Sequence, residues 1–278
     1  MPYLCNIHSH TTYSDGRNTP EEMVAAALAL RFSALGFSDH GYAPHDVCSM
    51  SEETEPLYRA EIRALQKKYA GSIELALGYE HDASMADTDL SFYDYAIESV
   101  HFVHPNGVYC SVDESAAALA SHIQTHYGGD PYALCADYFR EVCASFERTA
   151  AQVAGHIGLV TKFNEGNAMF NADDPRYTRP AQEAVRLAVE KDMLVEVNTG
   201  AMSRGYRTEP YPGRALLALL RELGGRVIIT SDCHRAEWMN YAFDSTLDLL
   251  ATLGFREVWT WKRGRFEPMG IQEVYANP

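Results

Sequence analysis

"RVIITSDCH" (residues 226–234) is an apolar, β-branched run that ends in an acid and a histidine. Because β-branched residues favour extended chains, the run predicts a strand. Asp232 and His234 follow at its carboxyl end, and side chains two positions apart lie on one face of an extended chain. The stretch therefore predicts a strand that presents two potential metal ligands at its end.

Similar strand-like runs alternate with helical patterns along the chain. "TPEEMVAAALAL" predicts a helix with Thr19 as N-cap, Pro20 in the first turn and Glu22 completing a capping box. "SEETEPLYRAEIRALQKKY" predicts a second helix, because Leu57, Ile62 and Leu65 recur at helical spacing. The other strand-like runs are LCNI before His8, FSALGFS (32–38), IELALGYE (73–80), YAIESVH (95–101), VAGHIG (153–158), MLVEVNTG (193–200) and FREVWTW (255–261).

Seven or eight strands, most of them followed by a helix, indicate an α/β barrel. The longest gap between strands, around 105–152, has a mainly helical pattern, which predicts a helical insertion within the barrel. No repeat, low-complexity tract or linker interrupts the chain, so we expect a single domain over residues 1–278.

Composition disfavours several classes of protein. The formal net charge of -15 argues against a nucleic-acid partner held through its phosphates. No apolar run reaches the roughly 18 residues needed to cross a bilayer, and the start MPYLCNIHSH lacks the features of a signal peptide. The six cysteines form no C-x-x-C pair, so we expect reduced thiols in a cytoplasmic protein with no membrane partner.

Ligand-type residues gather at the carboxyl ends of the predicted strands. In an α/β barrel those ends share the face that carries the active site. Divalent metals bind imidazole and carboxylate groups and relieve the cost of burying them together. A carboxylate can bridge two metals, and Glu80 is the strand-end glutamate placed to do so. The candidate ligands, sufficient for two or three metals, are His8, His10, Asp15, His40, Glu80, His101, His156, Asp232 and His234.

The remaining histidines have other expected positions. His81 follows Glu80 and should point to the opposite face of its strand. His45 falls in a predicted loop, and His122 and His126 fall in the helical insertion, so we expect these three in solvated or core positions. His104 lies close enough to the strand ends to contact a substrate.

The motifs HSHTTYSDG, FSDHG, GYE, SVH, GHIGLV and TSDCH occur in the order and approximate spacing found in the PHP (polymerase and histidinol phosphatase) superfamily. The resemblance covers essentially the whole chain. Its length and the stretch NTGAMSRGYRTEPYP are most similar to the monofunctional bacterial histidinol-phosphatase branch. The resemblance implies a distorted (β/α)7 TIM-like barrel with a trinuclear metal centre at the carboxyl ends of the strands.

The resemblance also implies a division of the ligands among three metals. The first metal would be held by His8, His10, Glu80 and Asp232, the second by Glu80, His101 and His156, and the third by Asp15, His40 and His234. Glu80, Asp232 and His10 are then the ligands central to catalysis. Asp15 departs from relatives that carry histidine there. Manganese, iron and zinc all suit the mixed nitrogen and oxygen ligands.

The implied reaction is hydrolysis of a small phosphorylated metabolite, L-histidinol phosphate, to histidinol and phosphate. A water bridging two metals would become hydroxide near neutral pH and attack phosphorus in line. Lys162, Arg204 and Arg207 follow strand ends and are candidate partners for the phosphate. Asn198 either hydrogen-bonds the substrate, orients a ligand or caps its loop.

Other functions remain open from the sequence. A PHP phosphoesterase could act on a sugar or nucleoside phosphate. A non-catalytic metal-binding protein would be expected to have lost ligands, yet all the candidates are present. The acidic charge disfavours an exonuclease that accompanies a DNA polymerase. An amidohydrolase would normally have a metal-bridging lysine at a strand end, and no such lysine stands out in the sequence. A homo-oligomer is compatible with the sequence.

Overall fold

Strands alternate with helices in the computed structural model, which describes residues 5–85 and 88–276. The strands are β1 Cys5–Asn6, β2 Ala34–Phe37, β3 Glu74–Leu77, β4 Glu80–Asp82, β5 Ile97–Ser99, β6 Phe102–Val103, β7 Cys110–Ser111, β8 Val153–Ala154, β9 Leu194–Asn198, β10 Arg226–Thr230, β11 Glu257–Lys262 and β12 Arg265–Gly270. The helices are α1 Pro20–Ala29, α2 Thr54–Lys68, α3 Ala116–His126, α4 Pro131–Arg148, α5 Pro175–Glu190, α6 Gly200–Ser203, α7 Arg214–Glu222, α8 Phe243–Thr252 and α9 Ile271–Ala276.

The strands form two larger sheets and one hairpin. The first sheet has the order β1-β2-β3, with every pair parallel. The second has the order β12-β11-β10-β9-β8-β5-β4 and is parallel except for the antiparallel β11–β12 pair. Strands β6 and β7 pair antiparallel. The α/β class predicted from the sequence is therefore confirmed.

Isolated backbone bridges join the two larger sheets. Ser9, just beyond β1, pairs with Cys233, just beyond β10. His40, just beyond β2, pairs with Glu80 at the start of β4. These bridges bring the carboxyl ends of strands from both sheets to one region, where the predicted ligands lie.

The predicted helix starts are largely confirmed. The Thr19 side chain accepts a hydrogen bond from the Glu22 backbone N–H, and the Glu22 carboxylate accepts one from the Thr19 N–H. In α2, Ile62 and Leu65 are buried, whereas Leu57 is 59% exposed. The capping box and one apolar face therefore define these helices, and Leu57 lies outside that face.

One predicted strand is divided in two. The run IELALGYE becomes β3 and β4, with Gly78 and Tyr79 between them. A Cβ atom on Gly78 would lie 2.2 Å from the ring of Tyr95, whose hydroxyl donates to the Phe37 carbonyl at 3.2 Å. Only glycine allows this ring so close to the backbone.

The sequence did not predict the β6–β7 hairpin or strand β12. The 105–152 region contains α3 and α4, together with β7. Among residues 5–85 and 88–276, no helix has the length and apolar character that a membrane crossing requires.

Candidate metal centre

The carboxylate of Glu80, at the start of β4, lies at the centre of a histidine cluster. Its side chain is 1% exposed, and the Ser99 hydroxyl donates to Oε1 at 2.7 Å. Ring nitrogens lie 3.0–3.7 Å from its oxygens, with His8, His10 and His40 facing Oε2 and His101 and His156 facing Oε1. The two oxygens thus face different sets of imidazoles, as a carboxylate that bridges two metals would require.

Asp232 faces the same cluster from the end of β10. Its Oδ1 lies 3.1 Å from Nε2 of His10, 3.7 Å from Nε2 of His8 and 3.7 Å from Nδ1 of His234. Its backbone has a φ of 44°, in the left-handed region. Aspartate tolerates that region better than most residues do, and such backbone conformations are concentrated at functional sites.

Asp15 completes the cluster on its more open side, where its side chain is 29% exposed. Its Oδ2 lies 3.1 Å from Nε2 of His234. Its Oδ1 lies 3.8 Å from Nδ1 of His10 and 3.8 Å from Nε2 of His40. The structure therefore brings all nine predicted ligands into one connected cluster.

The donor atoms fall into compact groups in which every pair of atoms lies within 4.8 Å. The groups are His8, His10 and Asp232; His40, Glu80 and His101; and His10, Asp15, His40 and His234. These groups overlap the three ligand sets implied by the family resemblance. They differ because His10 and His40 each occur twice, and His156 joins no group although its Nε2 is 3.0 Å from Glu80. The division of ligands among metals stays a prediction.

Several buried donor atoms in the cluster have no hydrogen-bond partner within the described part of the chain. They include Nε2 of His8, Nδ1 of His10, Oδ1 of Asp15 and Oε2 of Glu80. An unpartnered buried polar atom is costly, and a metal would satisfy all of them at once. The mixed imidazole and carboxylate donors therefore fit divalent metal ions.

The electrostatics of the cluster also favour cations. Burial opposes the charge on Glu80, yet His8 and His40 hold its pKa well below the usual range. Burial, with His234 and His40, lowers the pKa of His10 to about 3, so this ring is neutral and free to coordinate. The ionised Glu80 and the neutral His10 are thus in the protonation states that metal ligation requires.

Two acids that were not predicted from the sequence contact predicted ligands. Glu196, fully buried on β9, places Oε2 2.8 Å from Nδ1 of His8 and accepts a hydrogen bond from the Thr230 hydroxyl at 2.8 Å. Asp82 places Oδ2 3.0 Å from Nδ1 of His101. Each contact directs the other ring nitrogen towards the cluster, as is usual for metal-binding histidines. The available signals were an acid within the apolar strand LVEVN and an acid two residues after Glu80.

A cavity of about 710 Å³ opens onto the cluster, and Lys162 and Arg204 line it. Nζ of Lys162 donates to the Asp113 carbonyl at 2.7 Å and lies 3.1 Å from its carboxylate. Nη2 of Arg204 lies 3.4 Å from Oδ2 of Asp232. Two of the cations predicted to contact substrate therefore line the cavity, where an anionic substrate would need them.

Other predicted substrate contacts lie elsewhere. The described residues that line the cavity do not include Arg207, His104 or Asn198. Arg207 pairs with Glu165 at 3.3 Å. Asn198 is fully buried and donates to Asp232 at 3.3 Å, the geometry of a residue that orients a ligand. Substrate contact by these three residues stays a prediction.

His45 occupies a different place from the one expected. It lines the cavity, with Nε2 2.8 Å from the Ser84 hydroxyl and its ring stacked on Tyr109 at 3.7 Å. The sequence did not predict that His45 lines the cavity, because the local sequence of a loop does not indicate which way the loop folds. His81 pairs with Glu98 at 3.0 Å, away from Glu80, as alternation along the strand predicted.

Comparison with protein families identifies the kind of domain that contains most of the predicted ligands. The PHP domain family matches residues 6–200, a range that holds every predicted ligand except Asp232 and His234. This chain belongs to the PHP domain family. Five of the six motifs that suggested the resemblance therefore lie within the matched PHP domain, and TSDCH lies beyond it.

Relatives of this PHP domain protein share its length. The protein named "Probable histidinol-phosphatase" of Deinococcus radiodurans is 27% identical, over 96% of this chain and 100% of that protein. A solved structure of a candidate histidinol phosphatase from Listeria monocytogenes has a TM-score of 0.76 at 22% identity and covers 86% of this chain and 98% of its own. The histidinol phosphate phosphatase of Lactococcus lactis, solved with zinc, L-histidinol and phosphate, has a TM-score of 0.66 at 20% identity and covers 94% of this chain and 98% of its own. These structures share the fold of this PHP domain protein.

Proposed function

We propose that this protein is a metal-dependent phosphomonoester hydrolase that converts L-histidinol phosphate and water into histidinol and phosphate. The observation that carries the proposal is the Glu80 carboxylate, buried among five histidines beneath a cation-lined cavity. Full-length similarity to a protein named as a histidinol-phosphatase supports the substrate. The cavity lining also includes Asp46 and Glu114, whose charge suits the ammonium and imidazole groups of histidinol.

The proposed architecture is a distorted (β/α)7 barrel formed by one domain over residues 1–278. Support comes from the bridge between Ser9 and Cys233 and that between His40 and Glu80, which link the two sheets on both sides. Around this barrel the strand order would be β1, β2, then β3 and β4 together as one position, then β5, β8, β9 and β10, with β10 next to β1. The segment around 105–152, with α3 and α4, would be an insertion beside the cavity. Residues 1–4, 86, 87, 277 and 278 lie outside the described residues.

The proposed cofactors are two or three divalent ions among manganese, iron and zinc, held by the nine predicted ligands. When bound, such ions lower the pKa of water towards neutrality and neutralise charge on phosphoryl oxygens. Glu80, Asp232 and His10 are the central ligands in this proposal. The cytoplasmic location and homo-oligomeric state stay predictions from the sequence.

The protein's own side chains would bind and orient the substrate. Arg204 and Lys162 would attract the phosphate into the cavity and hold its oxygens through charge-assisted hydrogen bonds. Glu196 and Asp82 would keep His8 and His101 in the orientations that ligation needs. Burial of the cluster excludes bulk water and strengthens these interactions.

Phosphate release from a panel of phosphomonoesters tests the substrate. The panel contains L-histidinol phosphate, a sugar phosphate, a nucleoside monophosphate and an aryl phosphate, each assayed with the same metal-loaded preparation. We expect kcat/KM to be highest for L-histidinol phosphate. A higher value for a sugar or nucleoside phosphate would favour the alternative phosphoesterase, and no release from any ester would favour a non-catalytic metal-binding protein.

A further inference from the structure

A second group of metal-type donors lies on the segment that follows the β6–β7 hairpin. Cys110 is the first residue of β7, and His122 and His126 lie one turn apart on α3. The Cys110 sulfur and one ring nitrogen from each histidine all lie within 4.8 Å of one another. Within the described residues, none of the three lines the 710 Å³ cavity or belongs to the donor groups around Glu80.

We propose that Cys110, His122 and His126 form a separate binding site for one divalent metal of the zinc type. Residues four apart on a helix present their side chains on one face, a spacing that many zinc sites use for paired histidines. The two rings have centroids 6.1 Å apart. A thiolate with two imidazoles favours zinc and disfavours the harder ions that prefer oxygen ligands.

The three donor atoms are near enough to share one metal. Zinc bonds to nitrogen and sulfur are about 2.0–2.3 Å long, so tetrahedral ligands lie about 3.5 Å apart, within the 4.8 Å that encloses these atoms. As the metal–sulfur bond forms, the Cys110 thiol loses its proton to solvent. Water completes the fourth position.

A metal at this site would stabilise one wall of the active-site cavity. Cys110 is fully buried, whereas His122 and His126 are partly exposed, so a metal would fasten the hairpin to the inner face of α3. Ser111 and Asp113 follow Cys110 and line the cavity. A metal at Cys110 would therefore stabilise the segment that carries the Asp113–Lys162 ion pair.

Cobalt titration of the metal-free, full-length protein tests the proposal. A thiolate bound to Co²⁺ gives a ligand-to-metal charge-transfer band in the near ultraviolet, which imidazole and carboxylate ligands do not give. We expect this band in the wild-type protein, its loss in Cys110→Ser, and at least about tenfold weaker Co²⁺ binding at this site in His122→Gln and His126→Gln. Cys48→Ser is the matched control, because Cys48 is a cysteine that lines the active-site cavity. This variant should keep the band.

Zinc content and phosphatase activity separate this site from the Glu80 cluster. After loading with zinc, His122→Gln and His126→Gln should each hold one equivalent less than wild type and should still hydrolyse phosphate esters. If Cys110→Ser does not fold, these two variants decide the outcome. The proposal is overturned if the wild type gives no thiolate band, if the histidine variants keep full zinc content, or if Cys48→Ser removes the band.

Discussion

Nδ1 of His8 lies 2.8 Å from Oε2 of Glu196, although the two residues are 188 positions apart in the chain. Both side chains are fully buried. The contact leaves Nε2 of His8 facing Glu80 at 3.2 Å. Glu196 therefore contacts the cluster through His8: it orients the ring and adds negative charge behind a predicted metal ligand.

Replacing Glu196 should weaken metal binding without removing a ligand. We expect Glu196→Gln to reduce metal affinity by about 10–100-fold, because the amide carries no charge to hold the His8 ring. Competition with a coloured chelator measures the affinity. Glu98→Gln is the control, since Glu98 is equally buried but pairs with His81, outside the cluster. Equal losses of metal affinity in the two variants would mean that the affinity depends on the burial of an acid and not on its contact with His8.

Metal binding should release protons. Burial disfavours the charged form of His101, yet Asp82 and Glu80 raise its pKa to about 9 in the metal-free protein. At pH 7 that imidazole is therefore protonated, and a metal must displace the proton before the ring can coordinate. Affinity should rise by about tenfold per pH unit for each proton displaced, and level off near pH 9 for His101. Calorimetry in buffers of different ionisation enthalpy counts the protons, and a pH-independent affinity with no release would contradict the prediction.

The sequence was enough to predict that the candidate ligands lie close together, because their signal is positional. Histidines and acids follow apolar runs, and the carboxyl ends of parallel strands converge. His8 and Asp232 are 224 positions apart by number, yet 3.7 Å separates their side chains. The strand pattern alone was enough to predict that both lie at the carboxyl ends of strands that meet.

Residues that orient a predicted ligand, and do not bind the metal themselves, were harder to predict. Glu196 and Asp82 resemble ordinary buried or surface acids until the partner strand is in place. Arg207 was predicted to contact substrate because it follows a strand end; its guanidinium pairs with Glu165, and the substrate contact stays a prediction. The local sequence does not determine the rotamer of a long side chain, and it does not predict the fold of the loop that carries His45.

Removing the Arg204 guanidinium should impair phosphate binding. A charge-assisted hydrogen bond contributes about 1.5–3 kcal/mol, so Arg204→Ala should lower kcat/KM by roughly 10–100-fold for L-histidinol phosphate. Metal content should be retained, because Arg204 is not among the predicted ligands. Steady-state kinetics with metal analysis checks both expectations. Arg214→Ala, an exposed arginine paired with Glu209, should match wild type. If Arg204→Ala and Arg214→Ala have the same kcat/KM, Arg204 has no part in substrate binding.

The most direct measurement is the metal content and phosphate release of Glu80→Gln, made on the same preparation and compared with wild type. Glutamine keeps the shape of Glu80 but removes the charge that faces five imidazoles. We expect the variant to lose at least one metal equivalent and more than about 100-fold in kcat/KM, whereas Glu98→Gln retains both. Full metal content and full turnover in Glu80→Gln would contradict a metal centre built around this carboxylate.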